Sequence, residues 1–296
     1  MQKIVPNIWF NGDAEVAGAV YADAFPDATT SLTASYPAEG LPEFQRAMAG
    51  APLLITVEVA GQQISLINAG PEFRPSPALS FMVNFDPLMF DGDAGTARAR
   101  LDHAWEVLED GGVVRMELGE YPHSPRYGWV EDRFGVNWQV ILTDPAGDPR
   151  PFLLPSFVFV SEGENLTHAA LDFYLGVFAD ARRGQVLDWP DRPGSVMFSE
   201  FELEGQWFTA MDGAASDHAF DFTPGFSLLV RCGGQAEIDR LWDALSAHPE
   251  AEQCGWLKDR FGVSWQIVPQ NMEELMQRPD AYPHMLGMKK LIIADF

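Results

Sequence analysis

Apolar and polar positions alternate through VEVAGQQISLI (57–67), and FELEGQWFTAM (201–211) repeats the alternation around the same Glu-x-x-Gly-Gln core. Period-2 alternation broken by a turn dipeptide predicts a β-hairpin at each place. Elsewhere the spacing changes to i, i+3, i+4, i+7. Leu101, Ala104, Trp105 and Leu108 follow it, as do Ile238, Leu241, Trp242 and Leu245, which predicts two amphipathic helices with a tryptophan in each buried stripe. Ser80-Phe81-Met82-Val83 and Ser227-Leu228-Leu229-Val230 read as strands. Tyr21 and Phe25 answer Tyr174 and Phe178, four apart on helices that follow strands near Pro6–Phe10 and Pro155–Val160.

These pairings are one repeat. YGWVEDRFGVNWQV (127–140) and CGWLKDRFGVSWQI (254–267) agree at nine of fourteen positions without a gap, and self-similarity at this scale means duplicated architecture. Each half reads strand, helix, two or three strands, then the same again. The chain is therefore four βαβββ modules. The Pro/Gly/Asp-rich run TDPAGDPRP (143–151) separates the halves, giving expected domains at 1–148 and 149–296. Strands that follow one another largely without parallel crossovers predict an α+β fold: two curved, cup-shaped mixed sheets with helices on their outer faces. A dinucleotide or nucleotide-triphosphate fold is excluded, since no GxGxxG follows a strand and no GxxxxGK[ST] occurs.

Composition narrows the function. With 19 Lys and Arg against 43 Asp and Glu, the chain of 296 residues carries a net charge of −24. Its average field repels polyanions, so nucleic acid is not an expected partner. Apolar residues at 47% and charged residues at 21% describe a folded protein rather than a disordered acidic one. Polar residues interrupt MQKIVPNIWFNGDA early, and no stretch reaches 18 uninterrupted apolar residues, so the expectation is a cytoplasmic protein without a membrane anchor. Two cysteines, Cys232 and Cys254, make neither a disulfide framework nor a zinc cluster.

The sequence Pro6-Asn7-Ile8-Trp9-Phe10-Asn11-Gly12 with Tyr21 and Phe25, the helix Glu237–Trp242, the run Cys254–Pro269 and the tail Met285–Lys290 resemble the vicinal oxygen chelate superfamily of glyoxalases, extradiol dioxygenases and bleomycin-resistance proteins. More narrowly they resemble its PhnB-like group, often labelled demethylubiquinone methyltransferase-like. The resemblance covers nearly the whole chain, once per half. The glycine-rich strand-to-helix turn and ribose-binding acid that S-adenosylmethionine needs in its common fold are not in the sequence, so methyl transfer is not expected.

Metal-dependent members of the superfamily hold a divalent ion with His, Glu or Gln on the first and last strands of their module pairs. Registering this chain on Tyr21 and the Asp-Arg-Phe-Gly turn puts Pro6 and Ser80 at first-strand positions and Gln139 on the last strand. Phe157 or a neighbour, Ser227 and Gln266 take those places in the second half. Neutral oxygens and a proline supply neither charge nor basicity to an ion, so no metal and no cofactor is expected.

The candidate ligand-binding residues are Gln139, Ser80, Trp129 and Glu58, with Gln266, Ser227, Trp256 and Glu202 as their counterparts. Gln139 and Gln266 share a strand face with Asn137 and Ser264, and either line a wet cavity or satisfy backbone at a strand end. Trp129 and Trp256 stand at a cavity rim or in the core. Glu58 and Glu202 either face solvent or act as bases inside a cup. Trp105, Trp138, Trp242 and Trp265 read as core, Tyr21 and Tyr174 as core with a polar tip, and Asp132-Arg133 and Asp259-Arg260 as turn-shaping pairs. DGAASDHAFD (212–221), around His218, reads as a mobile polar loop or a lid. Two functions fit: a binding module for a small, largely apolar or aromatic molecule in a metal-free cup, or a metal- or carboxylate-dependent lyase, isomerase or dioxygenase. The expected partner is that small molecule, and the expected state is a monomer, with a homodimer as the other possibility.

Overall fold

The computed structural model describes residues 2–144, 149–161, 165–214 and 219–296. The expected boundary at 148 and the centre of the loop around His218 lie outside the described residues.

Module 1 comprises β1 (Ile4–Phe10), α1 (Ala14–Ala24), β2 (Thr29–Ser35), β3 (Pro52–Val59) and β4 (Gln62–Asn68). Module 2 comprises β5 (Leu79–Phe85), α2 (Ala94–Glu109), β6 (Val113–Tyr121), β7 (Ser124–Glu131) and β8 (Asn137–Leu142). Module 3 follows with β9 (Leu153–Ser161), α3 (Thr167–Val177), β10 (Ala181–Trp189), β11 (Arg192–Leu203) and β12 (Gln206–Ala214). Module 4 has β13 (Phe226–Cys232), α4 (Gln235–Leu245), β14 (Trp256–Lys258) and β15 (Ser264–Pro269). It lacks one strand of the expected pattern: where β6 runs in module 2, Pro249 and the acids around it form a short 3-10 turn, and proline withholds a ladder hydrogen bond. Two short helices, α5 (Met272–Leu275) and α6 (Ala281–Gly287), end the chain.

The predicted hairpins form at β3–β4 and β11–β12. Their turns, Ala60-Gly61 and Glu204-Gly205, have positive φ at both residues (47° and 76°, 50° and 80°), the requirement of the tight turn whose twist matches a hairpin.

Strand pairing crosses the halves. One sheet runs β14-β15-β13-β1-β4-β3-β2, joining modules 4 and 1. The other runs β10-β11-β12-β9-β5-β8-β7-β6, joining modules 3 and 2. The seams are the antiparallel pairs β1–β13 and β5–β9. The helices and the inward residues of both sheets share one apolar core, in which Phe81 of one sheet meets Phe226 of the other at 4.8 Å.

Inside each half a second device ties the modules together. Tyr21 on α1 and Trp138 on β8 both donate to Asp132 Oδ2 at 2.8 Å, while the Phe134 and Val136 amides donate to Oδ1 at 2.8 and 3.0 Å. Tyr174, Trp265, Phe261 and Val263 do the same for Asp259, at the same four distances. The turn-shaping role expected of both aspartates holds, and each also receives a tyrosine from the neighbouring module. Each module is thus held to one neighbour by a β-ladder and to another by a buried Tyr-Asp-Trp clamp.

Burial lifts the Asp132 carboxyl from its ordinary value to about 6, against the four hydrogen bonds that favour its charged form, and burial raises Asp259 likewise. A folded pKa above the unfolded one gives stability that is present below the unfolded value and lost as pH rises through the folded value. Urea titrations of the protein and its Asp132→Asn variant should show the native chain losing up to about 3 kcal/mol relative to the variant between about pH 4 and about pH 6.

Among the described residues no helix is long and apolar enough to cross a membrane.

Candidate functional site

Each sheet presents a face turned away from α1 to α4, and alternation decides what stands on it. On β5, Phe81, Val83 and Phe85 enter the core, which turns Ser80 and Met82 to the other side. On β9, core-facing Phe157 and Phe159 leave Leu154 and Ser156 there. The register then aligns Glu200 (β11), Thr209 (β12), Ser156 (β9) and Ser80 (β5) in one row across four adjacent strands. Gln139 on β8 closes the row, donating from Nε2 to Ser80 Oγ at 2.9 Å and to Ser156 Oγ at 3.4 Å. We call this face, built by modules 2 and 3, the central cup.

The terminal cup, built by modules 1 and 4, repeats the plan. Thr56, Ser65, Asn7 and Ser227 are aligned on β3, β4, β1 and β13, and Gln266 Nε2 donates to Ser227 Oγ at 2.9 Å. Asn7 Nδ2 lies 3.4 Å from the same hydroxyl.

One expected position, Pro6, shifts by one residue, and the choice left open at Phe157 or a neighbour falls on Ser156. Pro6 and Phe157 point into the core side, since Pro6 is paired with buried Leu228 and Phe157 packs among core rings. Their neighbours Asn7 and Ser156 line the cups, because a one-residue slip reverses the face. The serine–glutamine pairs come together as read, Ser80 with Gln139 and Ser227 with Gln266, but each meets a first-strand residue from the opposite half.

The walls of the two cups differ. In the central cup Met82, Leu154 and Trp207 form an apolar cluster with Ile141 and Phe198. Trp129 lies opposite Gln139 and donates to Asn137 Oδ1 at 3.1 Å, and Tyr127 donates to Gln139 Oε1 at 2.7 Å. Arg150 stacks on Trp207 at 4.3 Å and makes a two-pronged bond to Glu200 at 3.1 and 3.0 Å, while Arg182 stacks at 4.8 Å and binds Glu202 at 2.7 and 3.1 Å. Glu202 is therefore an ion-pair partner, and Glu200, which the sequence reading passed over, stands in the polar row.

In the terminal cup Trp256 lies opposite Gln266 and meets Trp9 edge-to-face at 5.8 Å; Trp9 meets Phe73 at 5.0 Å and donates to the Gly70 carbonyl at 2.7 Å. Glu58 shares this face but is exposed at the far end of β3. Part of the face is roofed by the chain's own end, where Leu229 and Val268 pack against Leu275, Leu291 and Phe296, together with Met272, Met276, Met285 and Met288. Backbone bonds from Cys254 and Gly255 to the Met288 and Lys289 carbonyls (2.8 and 2.7 Å) fasten that roof. The repeat gave no sign of it.

Asp212, at the start of the expected lid segment, is committed elsewhere: it accepts from the Thr167 amide and hydroxyl and from the Val196 amide. Among the described residues no three His, Cys, Asp or Glu side chains converge as a metal site would require.

Residues 2–141 and 153–268 match the family described as 3-demethylubiquinone-9 3-methyltransferase. Glyoxalase I from Zea mays is similar over 92% of this chain and 94% of its own, with 12% identity and a TM-score of 0.54, a likeness of fold. A Bacillus cereus protein described as a 3-demethylubiquinone-9 3-methyltransferase and PhnB protein is 27% identical over 48% of this chain and 100% of its own, with a TM-score of 0.40. A Pseudomonas aeruginosa protein is 22% identical over 48% and 98%, with a TM-score of 0.38. No curated protein matches the chain.

Proposed function

The chain belongs to the family described as 3-demethylubiquinone-9 3-methyltransferase, with the glyoxalase-like duplicated fold, and we propose that it is a small-molecule binder of that family, acting as a cytoplasmic monomer. Its ligand is small and largely apolar or aromatic, and is held in a cup without a metal ion. The observation that carries this reading is the donor set at the base of each cup. At the positions where the resemblance puts His, Glu or Gln in metal-dependent members, the floor offers Ser80, Gln139, Ser156 and Thr209, or Asn7, Ser65, Ser227 and Gln266, with no imidazole among them. Hydroxyl and amide oxygens are neutral and weakly basic. They suit hydrogen bonds to a ligand better than coordination of a divalent ion.

A carboxylate-based enzyme is less favoured by the same geometry. Glu200 and Glu202, the acids of the central cup, are each engaged by an arginine, which positions them as structural ion-pair partners. No methyl transfer is assigned: the turn from β13 into α4 carries Gly233 and Gly234, but no GxGxxG run follows any strand of the sequence.

Screening small aromatic compounds against the full chain by protein-observed NMR tests the reading. Ligands should perturb the indole signals of Trp129 and Trp207 or of Trp9 and Trp256. Gln139→Leu should weaken a central-cup ligand about five- to tenfold, the worth of about one hydrogen bond. Perturbations confined to residues outside both cups would reject it.

A further inference from the structure

Hydrogen-bond direction in the central cup says more about its ligand. Tyr127 donates to Gln139 Oε1, and Gln139 donates from Nε2 to Ser80 and Ser156. Ser80 passes its own hydrogen to the Ser156 carbonyl at 3.5 Å. The relay thus runs from β7 toward β9 and stops, for Ser156 receives a hydrogen and among the described residues has no acceptor for its own. Beside it on β12 stands Thr209, fully buried, whose Oγ1 has no hydrogen-bond partner among the described residues. Glu200, the acceptor directly across from Thr209 on β11, is taken up by Arg150.

A buried hydroxyl without a partner is costly, and native folds rarely keep one without a reason. Here the two hydroxyl-bearing residues are register partners on adjacent parallel strands, Thr209 with Ser156, whose backbones run about 4.8 Å apart. One oxygen carrying two lone pairs can accept from both.

We propose that the central cup selects a neutral carbonyl compound whose oxygen accepts from Thr209 and Ser156 while its apolar or aromatic body packs on Met82, Leu154 and Trp207. The inference rests on the proposed binding function and adds the ligand's chemical class. A carboxylate ligand is disfavoured by the net charge of −24. An ammonium is disfavoured because Glu200 and Glu202 already hold arginines. The terminal cup lacks the feature: Ser227 gives its hydrogen to the Asn7 carbonyl at 3.4 Å, and no buried orphan hydroxyl lies on that floor among the described residues.

Acetophenone and α-methylstyrene, which differ by C=O against C=CH2, separate the possibilities when titrated calorimetrically into the full chain. Acetophenone should bind about five- to tenfold more tightly. Thr209→Val, which keeps the shape and removes the hydroxyl, should abolish that preference. Should that variant fail to fold, Ser156→Ala is read in the same way. Equal affinities in the native chain, or a preference that survives the substitution, would overturn this inference and leave the binding reading standing. If neither compound binds the native chain, the binding reading fails and takes this inference with it.

Discussion

Residues 2–144 expressed alone should not persist as a folded monomer. In the intact chain β1 is covered from Ile4 to Ile8 by β13, and β5 from Leu79 to Val83 by β9, both partners coming from the other half. Cutting between the halves strips one ladder from each seam, opens two sheet edges and parts Phe81 from Phe226. Unpaired edges next to exposed apolar surface seek another chain. Since β5 and β13 are repeats of each other, the β5 of a second copy can cover β1. Light scattering should therefore report a concentration-dependent dimer of the half, and co-expression with residues 149–296 should return a one-to-one complex. A stable folded monomer of the half would mean that the seams contribute little.

Asp259→Ala is expected to be the most damaging single substitution. The carboxylate accepts from the Tyr174 hydroxyl, the Trp265 indole and the Phe261 and Val263 amides, and it is fully buried. Alanine strands these donors where water does not reach them. At about 1–3 kcal/mol for each unsatisfied buried group, partial relaxation still leaves a loss of about 5 kcal/mol, a large share of the stability of most domains. Asp259→Asn keeps one acceptor oxygen but turns an amide donor toward other donors, so it should lose about half as much. Urea denaturation followed by tryptophan fluorescence reads both. A loss below about 1 kcal/mol for the alanine variant would show that the clamp does not hold module 3 to module 4.

How far the sequence disclosed this fold depends on which pattern carried each feature. The duplication, the hairpins at Gly61 and Gly205 and the helices bearing Trp105 and Trp242 follow from periodicities that local chemistry enforces. The pairing of modules across halves does not, because β1 against β13 and a hypothetical β1 against β5 satisfy the same alternation, and only the long-range packing chooses between them. Gln139 and Gln266 were legible because the DRFG repeat fixes their phase. Asn7 was missed by one residue and Ser156 was left open beside Phe157, since the first strands of modules 1 and 3 are apolar on both sides of the relevant position and alternation gives no phase there. Glu200 was hidden behind Glu202, which the hairpin motif repeats and Glu200 does not. The clamps were half read: Asp132 and Asp259 appeared as turn residues and Tyr21 and Tyr174 as core, and nothing in the spacing joins residues 111 and 85 positions apart.

The central claim, a pair of cups whose floors grip an organic molecule in place of an ion, is tested most directly by native mass spectrometry of the full chain after dialysis against excess zinc and nickel and then against buffer. The account predicts the mass of the bare 32.8 kDa chain, with or without a small organic adduct. One or two metal ions retained per chain would contradict it.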